Sequence, residues 1–435
     1  MGLTYTLNIF KDLIDKYPLW DDLSKFLESA EGGLFRIVDN NTDLCLIRYE
    51  KGSSNMDLPH SKWFRSVVWN TKTNRPVCVA PPKTTSQEFS FKTLEELTNA
   101  GVVCQEHLDG FMINCFRTLD ESSLYITSRS KLDATGKFYS EKTFRQLFME
   151  SYLTSRNCSF VNELAFQENT QDIRIPDGAN GELSVFYSFL VQHTENRVVT
   201  PITENKVYVV QRGVVFNDGR VEIEDSPETF MERPNIENIQ LEIKVAKGSY
   251  AQIASLALAA EETDIQRWIK KQLVDRDWRF QGLVFKDNMG NRWRFRSEKY
   301  AAVKTLRGNS PTTVERFVQL YSQNLLEKYL EYYPEDNTLF VLYTMLMNTI
   351  VTTLYNTYVE LHITKTKMAE EISKTILPHL YSIHGIYLAS LKPNGKKVNT
   401  NEIRQYLHKQ PWQRLVFLIK KINTFVYNLE ISLDV

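Results

Sequence analysis

The segment with the clearest chemical potential is His107-Leu108-Asp109-Gly110, which lies between two apolar runs at 101–104 and 112–116. An imidazole ring can attack phosphorus and form a phosphoramidate, so His107 is a candidate nucleophile. By itself, however, an Asp-Gly pair between hydrophobic runs predicts a tight turn joining two β-strands. The segment is therefore either a plain hairpin turn with a half-buried histidine or part of a site, and its neighbours decide between the two.

Basic residues recur in short segments on both sides of this tetrapeptide. Arg65 and Lys83 lie upstream, and further basic residues lie downstream at 128–138, 281–286 and 292–296. Arginine binds phosphate oxygens in pairs and lysine binds them as a point charge, so such residues suit an anion-binding groove. In most proteins they would only form a solvated surface.

In this order and at these spacings the segments resemble the phage RNA ligase 1 family of covalent nucleotidyltransferases. The likeness covers roughly residues 34–308 and is specific because several independent motifs occur in order. In that family a lysine in a Lys-x-Asp-Gly motif attacks ATP to form a lysyl-AMP, and carboxylates hold a divalent metal. The resemblance implies a purine pocket, ATP and Mg²⁺ as cofactors if the protein is active, and RNA ends or single strands as partners.

Several positions depart from the family pattern. His107 replaces the nucleophilic lysine, and its ring nitrogens reach roughly 1–2 Å less far than a lysine amine, where ~1 Å of misplacement already costs about 10²-fold. The first metal glutamate is replaced by Phe189, or by Ser188 if the register slips by one, and the second by Gln281. A neutral amide is a weak ligand for a hard cation. Arg294-Phe295-Arg296 replaces a Lys-x-Lys motif, which keeps the charge and changes the shape.

Other positions keep the family pattern. Asp109-Gly110 completes the nucleophile motif, Arg65 matches the arginine of an Arg-Gly pair, and Lys83 ends a Pro-x-Lys segment. A glycine at 110 would let the chain approach a nucleotide closely. With the basic downstream segments, the resemblance predicts a set of nucleotide- and phosphate-binding residues: Arg65, Lys83, Asp109, Gly110, Arg129, Lys131, Gln281, Lys286, Arg294 and Arg296.

Composition limits the class of protein. Apolar residues make up 42% of the chain, and 52 basic side chains nearly balance 53 acidic ones, so any contact with RNA must come from a local groove. Five widely spaced cysteines without a Cys-x-x-Cys pair favour a reducing compartment and no zinc site. The N-terminus lacks signal-peptide features, and the apolar stretch at 339–354 is shorter than the ~20 residues of a membrane span. We expect a cytoplasmic or nuclear protein, or one of a viral factory or virion, that is neither secreted nor bound to membranes.

The periodicity of the chain places these motifs on an antiparallel framework. Residues 4–30 predict two helices separated by Pro18. Strands are predicted at 34–38, 44–49, 66–70, 77–80, three times within 101–130, and at 183–192, 206–212, 281–285 and 292–296. Further helices are predicted at 141–154 and 250–261.

Beyond residue 308 the pattern becomes helical, with helices at 314–333, 338–358, 367–391, 401–409 and 413–429. The sequence therefore predicts an α+β protein. Residues 1–308 form a nucleotidyltransferase domain of the ATP-grasp-like adenylation type, with antiparallel sheets and flanking helices, and residues 309–435 form an all-α domain.

Three functional hypotheses follow. The first is a catalytically degenerate RNA-ligase-like protein that binds RNA, a nucleotide or another protein, for example as a subunit of a viral assembly. The second is an active ATP-dependent RNA ligase that joins 5′-phosphate and 3′-hydroxyl ends, with His107 or a lysine such as Lys131 or Lys286 as nucleophile. The third is an enzyme that only seals pre-adenylated RNA, with Arg294 and Arg296 neutralising phosphate.

Overall fold

The structure is a computed structural model, and it describes residues 3–85, 88–120, 123–158, 160, 162–171, 173–225 and 263–427. The chain divides into two compact units, Met1–Lys304 and Thr305–Val435. The first unit combines antiparallel sheets with helices and the second is helical, which confirms the α+β class with a helical C-terminal region. The sequence places the boundary at residue 308, and the structure divides the chain at Lys304.

The largest sheet has six antiparallel strands in the order β1-β11-β10-β9-β7-β8. Its strands are β1 (Leu3–Leu7), β7 (Phe111–Thr118), β8 (Tyr125–Thr127), β9 (Glu182–Gln192), β10 (Lys206–Phe216) and β11 (Val221–Asp225). The helix predicted from residue 4 is wrong at its start, because Leu3–Leu7 pairs along its whole length with β11. Thr4, Tyr5 and Thr6 favour a strand locally, and the partner strand, which the periodicity did not reveal, decides the outcome.

A second sheet of four strands carries the N-terminal helices. It consists of β2 (Arg36–Asn40), β3 (Leu44–Arg48), β4 (Val67–Asn70) and β5 (Arg75–Val79). Helices α1 (Ile9–Lys16) and α2 (Trp20–Glu28) bury Phe10, Leu23 and Leu27 in the core that also contains Trp69. These two helices and four strands lie where the sequence predicts them.

The third sheet has the order β13-β12-β6 and comprises β6 (Val103–Glu106), β12 (Gly282–Lys286) and β13 (Arg292–Arg296). Side chains alternate across β13, as in any strand. Trp293 and Phe295 pack into an apolar cluster with Phe285, beneath α6 (Asp264–Asp275). The three arginines at 292, 294 and 296 therefore share the opposite face.

A plain hairpin turn at Asp109-Gly110, one of the two alternatives that the sequence left open, is not what the structure shows. The strands on either side belong to different sheets: β6 pairs with β12, whereas β7 pairs with β8 and β9. Residues 107–110 therefore form a crossover between two sheets instead of a turn within one. Local sequence cannot separate these outcomes, because both place Asp-Gly between two apolar strands.

The remaining helices of the first unit pack on or beside the sheets. They are α3 (Leu94–Asn99), α4 (Phe144–Ser155), α5 (Glu163–Asn169) and α7 (Glu298–Arg307). Helix α4 buries Leu147, Phe148 and Tyr152, and Phe148 contacts Phe189 of β9. The helix predicted at 250–261 lies outside the described residues.

The second unit contains α8 (Thr313–Ser322), α9 (Leu326–Leu330), α10 (Asn337–Tyr358), α11 (Leu377–Ile386), α12 (Thr400–His408) and α13 (Trp412–Tyr427). The helix predicted over 367–391 is only partly correct, because the regular part begins at Leu377, immediately before Pro378. Proline is tolerated in a first helical turn, where its missing N–H has no partner to lose.

One helical segment of the described residues, Pro334–Ile363, is long and apolar enough to cross a membrane by length and composition. It exceeds the apolar stretch recognised in the sequence because small polar residues within it do not interrupt the helix. Its central part, α10, buries Phe340, Tyr343, Leu346, Met347, Ile350, Val351, Leu354 and Tyr358. The core helix of a water-soluble protein meets the same test, so this segment does not decide where the protein resides.

Replacing Gly282 by alanine should destabilise the first unit. Gly282 has φ +139°, and an added Cβ would lie 1.9 Å from the carbonyl oxygen of Phe295 in β13. We expect the free energy of unfolding to fall by about 2 kcal/mol or more, measured by urea denaturation. Gly52→Ala is the matched control, since Gly52 has φ +89° but nothing within 4 Å of an added Cβ. Equal stability of the two variants would contradict a tight approach of β12 to β13.

Candidate functional site

The first unit contains a cavity of about 550 Å³ where the two larger sheets and the three-stranded sheet meet. The crossover residues His107, Leu108, Asp109 and Gly110 line its wall. The segment that the sequence singles out therefore borders the cavity because it links two of the sheets that enclose it.

One side of the cavity is apolar. Met112 of β7, Leu190 of β9 and Val210 of β10 lie on adjacent strands of the six-stranded sheet, and Met112 and Leu190 are register partners. Val198 also lines the cavity, and Val284, the register partner of Arg294, lies on the basic side. An apolar floor with polar groups opposite is the usual build of a site for a small organic ligand.

The other side is strongly basic. Arg294 and Arg296 project into the cavity with Arg292, because residues two apart on a strand share a face. Arg65 comes from the turn before β4, Lys83 from the segment after β5 and Arg129 from the segment after β8. The complete set of lysines and arginines lining the cavity is Lys51, Arg65, Lys83, Arg129, Lys286, Arg292, Arg294, Arg296 and Lys304.

Burial and crowding lower the pKa values of three of these cations. Burial lowers the pKa of Arg65, and the neighbouring Arg129, Arg292 and Arg294 lower it further. Burial also lowers the pKa of Arg294 and of Lys304, with Arg296 contributing to both. The charged forms of Arg65, Arg294 and Lys304 are thus destabilised by burial and by neighbouring cations, and a bound anion would relieve that cost.

Tyr49, at the end of β3, lies among the cations. The Lys83 amine and the Arg129 guanidinium each lie 5.2 Å from the centre of its ring, within range of cation–π attraction. No motif or spacing in the sequence singles out Tyr49. Its ring holds two phosphate-binding candidates in place through contacts that appear only once the sheets are assembled.

Two of the predicted basic residues are engaged in ion pairs. The Lys286 ammonium lies 2.8 Å from the carboxylate of Asp225, which also pairs with Arg292, and all three side chains are buried. Lys131 does not line the cavity, and its amine lies 3.7 Å from Asp39. Neither amine is therefore disposed as a nucleophile in this cavity.

His107 lies at the cavity wall, and its backbone N–H donates to the carbonyl of Gly282 at 2.8 Å. Burial lowers the pKa of the imidazole to about 3, with further contributions from Arg294, Arg296, Arg65 and Lys304. The ring is therefore neutral at physiological pH. A base this weak is also a weak nucleophile, because nucleophilicity falls with basicity.

Asp109 holds the crossover in place. Its Oδ2 accepts hydrogen bonds from the backbone N–H groups of Val199 and Thr200 at 2.8 and 2.9 Å. Its Oδ1 accepts from the hydroxyl of Tyr300 at 2.8 Å and from the N–H of Gly110 at 3.1 Å. The carboxylate is buried, and the protein itself supplies its donors.

Gly110 has a structural reason to be glycine. A Cβ at this position would lie 2.4 Å from the carbonyl oxygen of Val191, so the close approach is to strand β9. Gly110 also lines the cavity. The close approach to a nucleotide that the resemblance implies remains a prediction.

Phe189 and Ser188, the two residues considered for the position of the first metal glutamate, lie on opposite faces of β9. Phe189 points into the apolar cluster beneath α4, whereas Ser188 shares the face of Leu190, which lines the cavity. Ser188 is fully buried, and its hydroxyl donates to Asn114 at 2.7 Å. The cavity side of the strand therefore carries a small neutral residue at this point.

The donor set does not fit the divalent metal that the resemblance implies. The carboxylates lining the cavity are Glu106 and Asp109, and Asp109 is saturated by protein donors. Glu106 lies 3.9 Å from Arg276, and burial raises the pKa of its carboxyl. The side-chain carbonyl oxygens of Gln105 and Gln281 add neutral oxygens to the lining, and a neutral amide is a weak ligand for a hard divalent cation.

One group of three potential metal ligands occurs elsewhere in the described residues. It consists of Glu150, His193 and Glu195. The Lys142 ammonium bridges the two glutamates at 2.8 and 2.7 Å, and both ring nitrogens of His193 are hydrogen-bonded. The Lys142 ammonium therefore occupies the place that a metal ion would take between these two carboxylates.

The structure brings together most of the residues singled out in the sequence. Arg65, Lys83, Asp109, Gly110, Arg129, Gln281, Lys286, Arg294 and Arg296 line the cavity with His107, and Lys131 does not. Arg292 also lines the cavity and was not predicted as a site residue. It lies two residues before Arg294 on the same strand, so the alternation of side chains along a strand would have predicted it. Lys304 follows Tyr300 by one helical turn and had no signal before α7 was known.

Comparisons with known proteins find little similarity. No family model matches the chain, and no curated protein matches it. A solved structure described as an archaeal ATP-dependent RNA ligase, form 1, is similar at 10% sequence identity and a TM-score of 0.26. The match covers 72% of this chain and 68% of that protein. Neither the chemistry of the cavity nor its ligand is inferred from this likeness.

Replacing Asp109 by asparagine should weaken the crossover. The amide would present N–H groups to the N–H groups of Val199 and Thr200 or lose the bond from Tyr300. We expect the free energy of unfolding to fall by about 1.5–3 kcal/mol, measured by urea denaturation. Asp218→Asn is the matched control, since Asp218 also precedes a glycine but is exposed. Equal effects of the two substitutions would rule out a special role for the Asp109 contacts.

Stability should depend on the protonation of His107. Its pKa is about 3 in the folded state and 6.5 when unperturbed, so the unfolded chain binds more protons between these values. Above pH 6.5 the neutral imidazole does not reduce the free energy of unfolding. As the pH falls from 6.5 towards 3, that free energy decreases progressively, because only the unfolded chain takes up the proton. We expect His107→Gln to lose less stability than the wild type between pH 7.5 and 5, measured from urea midpoints. Equal losses would show that His107 does not titrate in this way.

Proposed function

We propose that the first unit is a phosphate-binding, RNA-ligase-like domain that holds a nucleotide or the 5′-phosphate end of an RNA without forming a covalent adduct. The basic side of the cavity would take the phosphates and the apolar side the base. The RNA-ligase-like motif order supports a nucleotidyltransferase ancestry. RNA as the ligand, a protein partner and a cytoplasmic or viral location remain predictions from the sequence.

The observation that carries this proposal is a set of buried polar atoms at the cavity without a hydrogen-bond partner among the described residues. They are the Nδ1 atom of His107, the Oε1 atom of Gln281 and the Nε atoms of Arg292 and Arg296. Buried polar groups are normally paired, so unpaired ones on residues that line a cavity favour a polar ligand there. Two guanidinium N–H donors among many cations suit an anion.

The same cavity supports binding better than covalent transfer. His107 occupies the nucleophile position as a weak base with a short reach. Lys131 and Lys286 are held in ion pairs. At the positions where the resemblance places metal carboxylates, Gln281 lines the cavity, and Ser188 is a buried neutral residue on the same face of β9 as Leu190.

An active ATP-dependent RNA ligase is the alternative, and one observation favours it. Lys304 lines the cavity, its neighbourhood lowers its pKa, and a more readily deprotonated amine is a better nucleophile. In that case Lys304, rather than Lys131 or Lys286, would attack the α-phosphate. Sealing of pre-adenylated RNA alone would instead use Arg294 and Arg296 to neutralise phosphate.

Binding and covalent labelling test these functions together. We expect the purified chain to bind ATP and a 5′-phosphorylated RNA oligonucleotide, measured by calorimetry and fluorescence anisotropy. Arg294→Gln should weaken binding by about 10–100-fold, since a charged hydrogen bond contributes about 1.5–3 kcal/mol. Arg279→Gln is the control, because Arg279 is exposed and does not line the cavity.

In parallel, incubation with α-labelled ATP and Mg²⁺ or Mn²⁺, followed by denaturing electrophoresis, should give no labelled band. A band lost in Lys304→Ala or in His107→Ala would establish the active alternative and identify the nucleophile. Absence of both binding and labelling would overturn both functions.

A further inference from the structure

Net charge distinguishes this cavity from a site for a metal-bound nucleotide. Nine lysines and arginines line it against two carboxylates, Glu106 and Asp109. Asp225 compensates two of the cations, Lys286 and Arg292, with a single negative charge. The large positive excess that remains requires a ligand with several negative charges.

The positive charges lie on more than one element of the fold. Arg294 and Arg296 come from the three-stranded sheet, Arg65 and Lys83 from the four-stranded sheet, and Lys304 from α7. The charge of Arg294 contributes to lowering the pKa values of both Arg65 and Lys304. Cations from different elements of the fold are therefore close enough to repel one another. A chain of phosphates can meet several of these side chains at once, whereas a single phosphate meets only some of them.

A divalent cation normally neutralises such a chain, and carboxylates hold that cation. Of the two positions where the resemblance places metal carboxylates, one is Gln281 and the other is Ser188 on the cavity side of β9. The carboxylate oxygens of Asp109 already accept hydrogen bonds from donors of the protein. Arginine and lysine side chains take over the neutralising charge. A metal ion carried in on the ligand would add two positive charges to a site that already has an excess.

We propose that the cavity binds the phosphate chain of its ligand free of divalent metal, so that Mg²⁺ bound to the ligand weakens the complex. This inference rests on the proposed phosphate-binding function and adds its regulation: the protein discriminates between the free and the Mg²⁺-bound forms of an oligophosphate. The oligophosphate is the triphosphate of a free nucleotide or the 5′ end of an RNA, which share this chemistry.

The test is calorimetric titration of the full chain with inorganic tripolyphosphate and with ATP at constant ionic strength. Each ligand is titrated once with EDTA and once with Mg²⁺ in excess over the ligand. We expect the Kd to rise about tenfold or more with Mg²⁺ for both ligands, corresponding to the loss of at least one effective charge interaction. A 5′-triphosphorylated RNA oligonucleotide is titrated in the same way, and tighter binding than ATP would assign the site to RNA ends.

A single substitution separates the metal effect from a general effect of salt. Gln281→Glu restores a carboxylate with little change in shape, so it should weaken binding in EDTA about tenfold and reduce or abolish the inhibition by Mg²⁺. Gln167→Glu makes the same chemical change on the exposed helix α5 and should behave as the wild type.

The outcomes separate this inference from the function on which it rests. Binding that is unchanged or tightened by Mg²⁺ would overturn the metal-free mode and leave the phosphate-binding function standing. Equal responses of Gln281→Glu and Gln167→Glu would also overturn it, because the residue at 281 would then have no influence on the metal. No binding of tripolyphosphate, ATP or RNA in either condition would overturn the phosphate-binding function itself.

Discussion

The hydrogen bonds of the Asp109 carboxylate are the constraint on which the cavity depends. They join the crossover at 107–110 to the backbone at Val199 and Thr200 and to Tyr300 of α7. Three parts of the chain that are distant in sequence thereby meet at one buried charge, and each supplies residues to the cavity wall. A buried carboxylate requires such donors, since an unpaired one would cost several kcal/mol. The site therefore has this shape because the fold must satisfy that charge.

The same requirement explains the division of roles within the tetrapeptide. Asp109 and Gly110, which match the motif, both have structural roles. Asp109 accepts hydrogen bonds from backbone N–H groups, and Gly110 permits the close approach to β9. His107, which departs from the pattern, has its backbone in the strand pairing and its side chain at the cavity. The hydrogen bonds of Asp109 and the contact of Gly110 with β9 do not involve the His107 side chain.

Electrostatics links the remaining features. The cavity has an excess of arginine and lysine over carboxylates. Burial and the neighbouring cations together lower the pKa values of Arg65, Lys304 and the His107 imidazole, so that this ring is neutral at physiological pH. This local positive charge contrasts with a formal net charge of only −1 for the whole protein.

The sequence by itself determined the class of the fold and most of its strands and helices, and nine of the ten residues that it singled out as binding candidates line one cavity. Periodicity and turn residues are local, and a motif keeps its order along the chain, so both can be read without a structure. Only the tertiary structure decided that Asp109-Gly110 is a crossover between sheets, that residues 3–7 form a strand, and that Ser188 rather than Phe189 shares the strand face of the cavity-lining Leu190. It alone placed Tyr49 and Lys304 at the site and Lys131 outside it. Each of these depends on a partner far away in sequence, since strand pairing, burial and charge are set by neighbours that the local pattern does not contain.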